Sequence, residues 1–153
     1  MNYLQQCKVV NVTPPGAIVD NASFTTNTID TAGYDAVAIY FALGATDIAM
    51  TALKVQESDD SGMSGAADIT GLVYGTSTNP DTATTSALPS ATDDDKVFGF
   101  YIDLKGRKRY LDVTATAGNG SAGTYGACIA VLYKAEQVPT TATGRGLGAN
   151  LLA

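Results

Sequence analysis

Histidine and tryptophan are both absent from this chain of 153 residues, and each absence removes a class of chemistry. Without imidazole there is no Ser-His-Asp or Cys-His constellation, and the common zinc sites lose their nitrogen ligand. Without indole, a sugar-binding cleft lacks its largest stacking platform. Charge is scarce as well: 16% of residues are charged, and fifteen acidic against nine basic side chains leave a net charge of −6. That balance argues against nucleic-acid binding, which needs clustered Lys and Arg. No window approaches the roughly 20 apolar residues of a membrane helix. The opening MNYLQQCKVVNV carries no basic segment followed by a long apolar one, so a signal peptide is not expected and the cytoplasm is the expected place of synthesis.

Cysteine is limited to Cys7 and Cys128, near opposite ends of the chain and without CxxC or metal-ligand spacing. They are expected as reduced, buried thiols that pack like small apolar residues. A disulfide between them would require the first and last strands to be neighbours. The acidic clusters Glu57, Asp59, Asp60 and Asp93, Asp94, Asp95 do not follow the calcium-loop pattern and read as solvated turns. Near the C-terminus GRGLGA has glycines but no strand-to-helix context, and no P-loop is present. No enzyme activity, cofactor or metal is therefore expected.

What the chain does have is period-two alternation. In residues 34–43 the bulky Val37, Ile39, Phe41 and Leu43 alternate with Ala36, Ala38, Tyr40 and Ala42. The second of these faces is small and uncharged rather than polar, so it is expected to be covered, by the chain's own domain or by another subunit. A loop over 44–51 leads to a second strand at 52–57. Before them, 4–12 reads as a strand stopped by Pro14, Pro15 and Gly16, and 23–31 as a Thr-rich edge strand. After them, 72–74 is a short strand, and 75–95 is a Thr/Ser/Ala/Asp-rich loop long enough to imply binding, assembly or local disorder.

Residues 97–104 place Phe98, Phe100, Ile102 and Leu104 inward, with Val97, Gly99, Tyr101 and Asp103 outward. The turn Lys105-Gly106-Arg107-Lys108 then makes a hairpin with 109–116 the natural reading. The last strand, 124–134, puts Cys128, Ala130 and Leu132 on one face and Tyr125, Ala127, Ile129, Val131 and Tyr133 on the other. With about seven or eight short strands and no amphipathic helix, the fold class is all-β: a two-sheet antiparallel β-sandwich with jelly-roll connectivity. One domain is expected over 1–138, with its long loop at 75–96, followed by a flexible C-terminal arm at 139–153. Arm contacts are assigned to Tyr3, Leu4, Arg145, Leu147, Leu151 and Leu152, docking on a partner or folding back on the same domain. The basic turn, with Lys105, Arg107, Lys108 and Arg109, is a solvated tip or a contact for an acidic partner.

Four stretches, LGATD (43–47), LKVQESDD (53–60), GRKRYL (106–111) and TYGACIAVLYK (124–134), resemble small structural proteins from the head gene clusters of tailed bacteriophages and prophages. The resemblance spans about 33–134; the Thr/Ser/Ala/Asp insert has no counterpart in it. It implies a virion protein on the capsid surface, assembled in the host cytoplasm: a decoration or cement protein, or a minor capsid, head-tail or tail-associated component. The implied partners are the major capsid protein and other copies of the chain, with a trimer favoured. A carbohydrate-binding sandwich is the alternative, with Tyr40, Tyr74 or Tyr101 on an exposed platform.

Overall fold

A computed structural model describes residues 6–18, 21–139, 141–149 and 151. In chain order the strands are β1 (Lys8–Ile18), β2 (Ile29–Asp30), β3 (Tyr34–Leu43), β4 (Ala52–Ser58), β5 (Ala67–Val73), β6 (Thr78–Asn79), β7 (Thr84–Thr85), β8 (Val97–Asp103), β9 (Tyr110–Thr116) and β10 (Thr124–Ala135). Sheet A has the order β1-β10-β3-β8, sheet B the order β2-β9-β4-β5, and β6-β7 is a small pendant hairpin. Every pairing is antiparallel, so the two-sheet antiparallel sandwich expected from the sequence is what the chain forms.

The core is built outward from β3. Its Val37, Ile39 and Phe41 are fully buried. They lie in register with Leu132, Ala130 and Cys128 of β10 and with Ile102, Phe100 and Phe98 of β8. Sheet B supplies the opposite wall through Leu53, Val55, Leu111 and Val113. Phe41 packs edge-on against Phe24, ring centres 5.9 Å apart. It also lies so close to Gly126 that an added Cβ there would stand 2.5 Å from the Phe41 ring. The absence of a side chain at Gly126 is what lets a phenylalanine occupy that layer.

Several expectations are corrected by the pairing. Pro14 and Pro15 do not stop the first strand; β1 runs through them to Ile18 with register shifts after Asn11 and Thr13. It can do so because β1 is the outer strand of sheet A, where a missing N–H breaks no ladder on the solvent side. The Thr-rich segment keeps its edge position but pairs as a named strand only at Ile29–Asp30. Phe24 and Ile29 are both buried although five residues apart, which a regular strand would put on opposite faces, so the path between them is irregular.

Residues 97–116 do not form a hairpin. β8 pairs with β3 in sheet A and β9 pairs with β4 in sheet B, so 104–109 arches from one sheet to the other. The reason lies in the inner faces: Phe100 and Ile102 face Leu111 and Val113 across the core instead of lying beside them. Glu57 anchors the arch, accepting from the Lys108 N–H at 3.1 Å and from Arg107 at 3.4 Å. The long Thr/Ser/Asp loop is ordered around β6-β7, with Ser86 Oγ donating to the Ser77 carbonyl at 2.7 Å and the Asp81 N–H to Asn79 Oδ1 at 2.9 Å.

Two substitutions test this core. Phe41→Ala is expected to lower the unfolding free energy by about 3–5 kcal/mol through cavity formation. Gly126→Ala, which adds one carbon against the same ring, is expected to cost about 1–3 kcal/mol through overpacking. Denaturant unfolding followed by circular dichroism measures both; a neutral Gly126→Ala would show that the Phe41 layer is loosely packed.

Candidate interaction surfaces

The two outer faces of the sandwich differ in kind. On sheet B, Lys54 and Gln56 both bond Asp68, at 2.9 and 2.7 Å. Thr114 donates to Gln56 at 3.2 Å, and Thr26 to Asp112 at 2.6 Å. This is a polar, self-satisfied face of the kind that meets water.

Sheet A presents something else. Residues paired in an antiparallel ladder share a face, so the register places four rows on the outside. They are Ala127-Ala42-Val97, then Asn11-Ile129-Tyr40-Gly99, then Val9-Val131-Ala38-Tyr101, then Tyr133-Ala36-Asp103. Tyr125 stands beyond the first row, opposite Ala17 of β1. Asp103, at one corner, is the one charged residue among these rows. Val97 (61%), Tyr101 (68%), Tyr125 (55%) and Ile129 (44%) keep much of their surface in solvent. Tyr40 and Tyr101 meet edge to face at 6.1 Å. A hydrogen bond to Tyr101, with burial second, pushes the Tyr40 phenol above its ordinary value. Ala36 and Ala38, opposite Tyr133 and Tyr101 in the register, are buried. The sequence expectation that the Ala/Tyr side of β3 needs a cover is thus met in part by the chain itself, while the rest of the face stays open.

The basic arch is largely neutralised by the chain itself. Arg109 makes a two-pronged bond to Asp30, both prongs at 2.8 Å, and lies over the Tyr110 ring at 5.0 Å. Arg107 pairs with Glu57 at 3.4 Å and Lys108 with Asp59 at 3.5 Å. Lys105 projects into solvent beside them. Exposed pairs of this kind add little stability, and they leave little net charge to offer an acidic partner.

In the C-terminal segment, Arg145 is turned inward rather than outward, donating to the Pro139 carbonyl at 3.1 Å from a short 3-10 turn, Thr143–Arg145. Gly146, at φ 73°, then sits directly on the Val9 backbone, where a Cβ would overlap the carbonyl oxygen. Residues 141–147 therefore fold back on β1, with Leu147 half-buried, whereas Leu151 is 98% exposed. Tyr3, Leu4 and Leu152 lie outside the described residues.

Neither thiol forms a disulfide. The first and last strands are neighbours, but Cys128 lies opposite Thr13 while Cys7 precedes the Lys8–Leu132 pair, roughly five residues along the ladder. Burial, with Asp112 nearby, pushes the Cys128 thiol up to about 12. The carboxylates mostly hold turns. Asp93, bonded by Lys96 and by the N–H and hydroxyl of Ser90, is held down to about 2. Asp47 accepts from the Ala122 and Ser121 N–H groups, pinning the turn before β10. Among the described residues, no group of three or more His, Cys, Asp or Glu is arranged to hold a metal ion.

A groove of about 510 Å³ opens between the end of β5, the β6-β7 hairpin and the free edge of β8. Tyr74 lines it but is drawn inward, packing on Phe98 and Phe100 and donating to the Gly99 carbonyl at 3.0 Å. Tyr74 therefore does not join Tyr40 and Tyr101 in a single platform. No protein-family model matches the chain, and no curated protein matches it.

Acid should weaken the fold. Asp30, Asp47, Asp68 and Asp93 all titrate below the ordinary 3.8 in the folded chain. As pH falls the unfolded chain takes up protons first, so their contribution is present above about pH 4 and is lost as pH falls through each group's lowered value, about 2 for Asp93. Denaturation midpoints taken at about pH 6, 4 and 2.5 should fall in that order; a flat series would contradict the bonds described. Cys128 should stay inert to a thiol reagent at about pH 8 in the folded protein and react fully on unfolding.

Proposed function

We propose that this chain is a non-enzymatic structural protein of a virion, a decoration or cement protein that binds the capsid shell. Its partners in this reading are the major capsid protein and other copies of itself, and its place is the capsid surface. The observation that carries the reading is the outer face of sheet A, nearly without charge and open to solvent on a chain whose other outer face, on sheet B, is polar. Contiguous open apolar faces mark contact sites. Tyrosine-rich, charge-poor surfaces suit protein contacts, because tyrosine buries much area at low entropic cost while its hydroxyl still finds a partner.

Two further features support it. Leaving aside the β6-β7 hairpin, the eight sandwich strands pair first with last, second with seventh, third with sixth and fourth with fifth. These are the pairings of one long hairpin rolled over on itself, which favours the jelly-roll arrangement used by viral shell proteins and by lectins. The resemblance of residues 33–134 to phage head-cluster proteins points toward the shell rather than the lectin use. A minor capsid, head-tail or tail-associated role would draw on the same face and is separated from decoration by position on the particle.

Imaging of purified particles should place the protein on the outside of the shell in regular, symmetry-related positions. Its absence from the shell sinks the cement reading, and density confined to the neck or tail replaces it with the head-tail one. Glycan binding by the isolated chain would instead favour the carbohydrate reading.

A further inference from the structure

We infer that the outer face of sheet A is the surface through which the chain pairs with a second copy of itself, face to face. This rests on the structural reading above; of that reading's two partners it assigns this surface to the second copy and leaves the shell to other surfaces of the chain. Charge is the first argument. In a two-fold contact the same patch meets itself, so a patch carrying charge of one sign sets like charges near one another. The net charge of −6 makes most of this chain a poor surface for self-contact. The rows of sheet A avoid the difficulty, with Asp103 alone at a corner.

Shape is the second. Tyr40, Tyr101 and Ile129 stand beside a low row of Ala127 and Ala42, so ridge and hollow occur on one patch, as self-complementarity requires. The Tyr101 ring lies over Gly99, 3.7 Å from where a Cβ would stand, which is ordinary contact distance. Two such faces can interdigitate at the spacing of about 10 Å found between packed sheets.

The alternative route to self-assembly, strand added to strand, is obstructed at both edges of sheet A. β1 is bulged, carries two prolines and has Gly146 seated on Val9. At β8 the Gly99 carbonyl is already taken by the Tyr74 hydroxyl. Within sheet A, the face is what remains.

Area sets the strength. Four strands about 4.8 Å apart and about seven residues long give a footprint of roughly 450 Å² per copy, or roughly 900 Å² for a pair. Stable interfaces bury about 1,200–2,000 Å², so the pairing is a weak, reversible one in solution. On a shell that holds many copies near one another, the same weak contact adds to each copy's own attachment.

The test is analytical ultracentrifugation of the purified full chain from about 1 to several hundred µM. The mass should rise from one chain, 15.7 kDa, toward two as concentration increases. Because the face is apolar and the net charge repulsive, added salt should tighten the association. A contact made by the basic arch with acidic surfaces would loosen instead. Ile129→Lys and Val97→Lys, both at solvent-facing positions, should weaken pairing at least tenfold while leaving the circular dichroism spectrum and melting temperature near wild type. Thr114→Lys on sheet B serves as the control and should pair normally. A single-chain mass at every concentration overturns the inference, as does pairing indifferent to the sheet A substitutions, or a three-chain assembly. A chain that pairs yet is missing from virions overturns the virion reading alone. A chain found on virions but monomeric in solution overturns the face-to-face pairing alone.

Discussion

The packing of Phe41 against Gly126 and Phe24 is the contact on which the rest of this sandwich depends. It holds β3 and β10 together at the centre of sheet A and ties in the irregular segment before β2. With β3 seated there, β8 takes its other side and the arch after β8 must cross to sheet B. Each sheet therefore has one face committed to the core, and the character of the molecule is set by what the other two faces carry.

Those outer faces divide the labour. Sheet B spends its polar side chains on one another, through Lys54, Gln56, Asp68, Thr114 and Asp112, and gains solubility. Sheet A gives up that solubility in the centre of the molecule, where Tyr101 and Tyr133 stand opposite alanines in the register. The acidic residues gather in turns, where Asp47, Asp60 and Asp93 accept backbone or side-chain hydrogens and stiffen connections between strands. Charge thus acts on this chain as a fastener for loops and as a repulsive background from which the outer face of sheet A is nearly free.

Much of this was legible in the chain. The alternation in β3 and β8 identified both the buried set and the outward set, and in β10 it separated the two faces without saying which is buried, because a strand commits successive residues to opposite faces whatever it pairs with. The edge position of Ile29–Asp30 was legible in its low apolar content. The basic cluster was visible too, but not its neutralisation: Asp30 lies far from Arg109 in the chain and meets it only because β2 pairs with β9. In the same way Arg145 looked like an arm contact, and its burial depends on the 3-10 turn folding back toward β1.

By itself, then, the sequence determined the class of the fold, the faces of its long strands and the absence of histidine chemistry, since these follow from local periodicity and residue type. Which strands became neighbours was decided only in three dimensions. Residues 97–116 carry every local mark of a hairpin, yet their two strands bury their inner faces against each other across the core, a solution no local signal distinguishes from lying side by side. Tertiary structure likewise decided that Pro14 and Pro15 fall on an edge where a missing N–H is harmless, and that Ile129, Tyr40 and Tyr101 share one open surface. Those outcomes depend on the register between segments distant in the chain, and register is set by the packing of the whole sandwich rather than by any one strand.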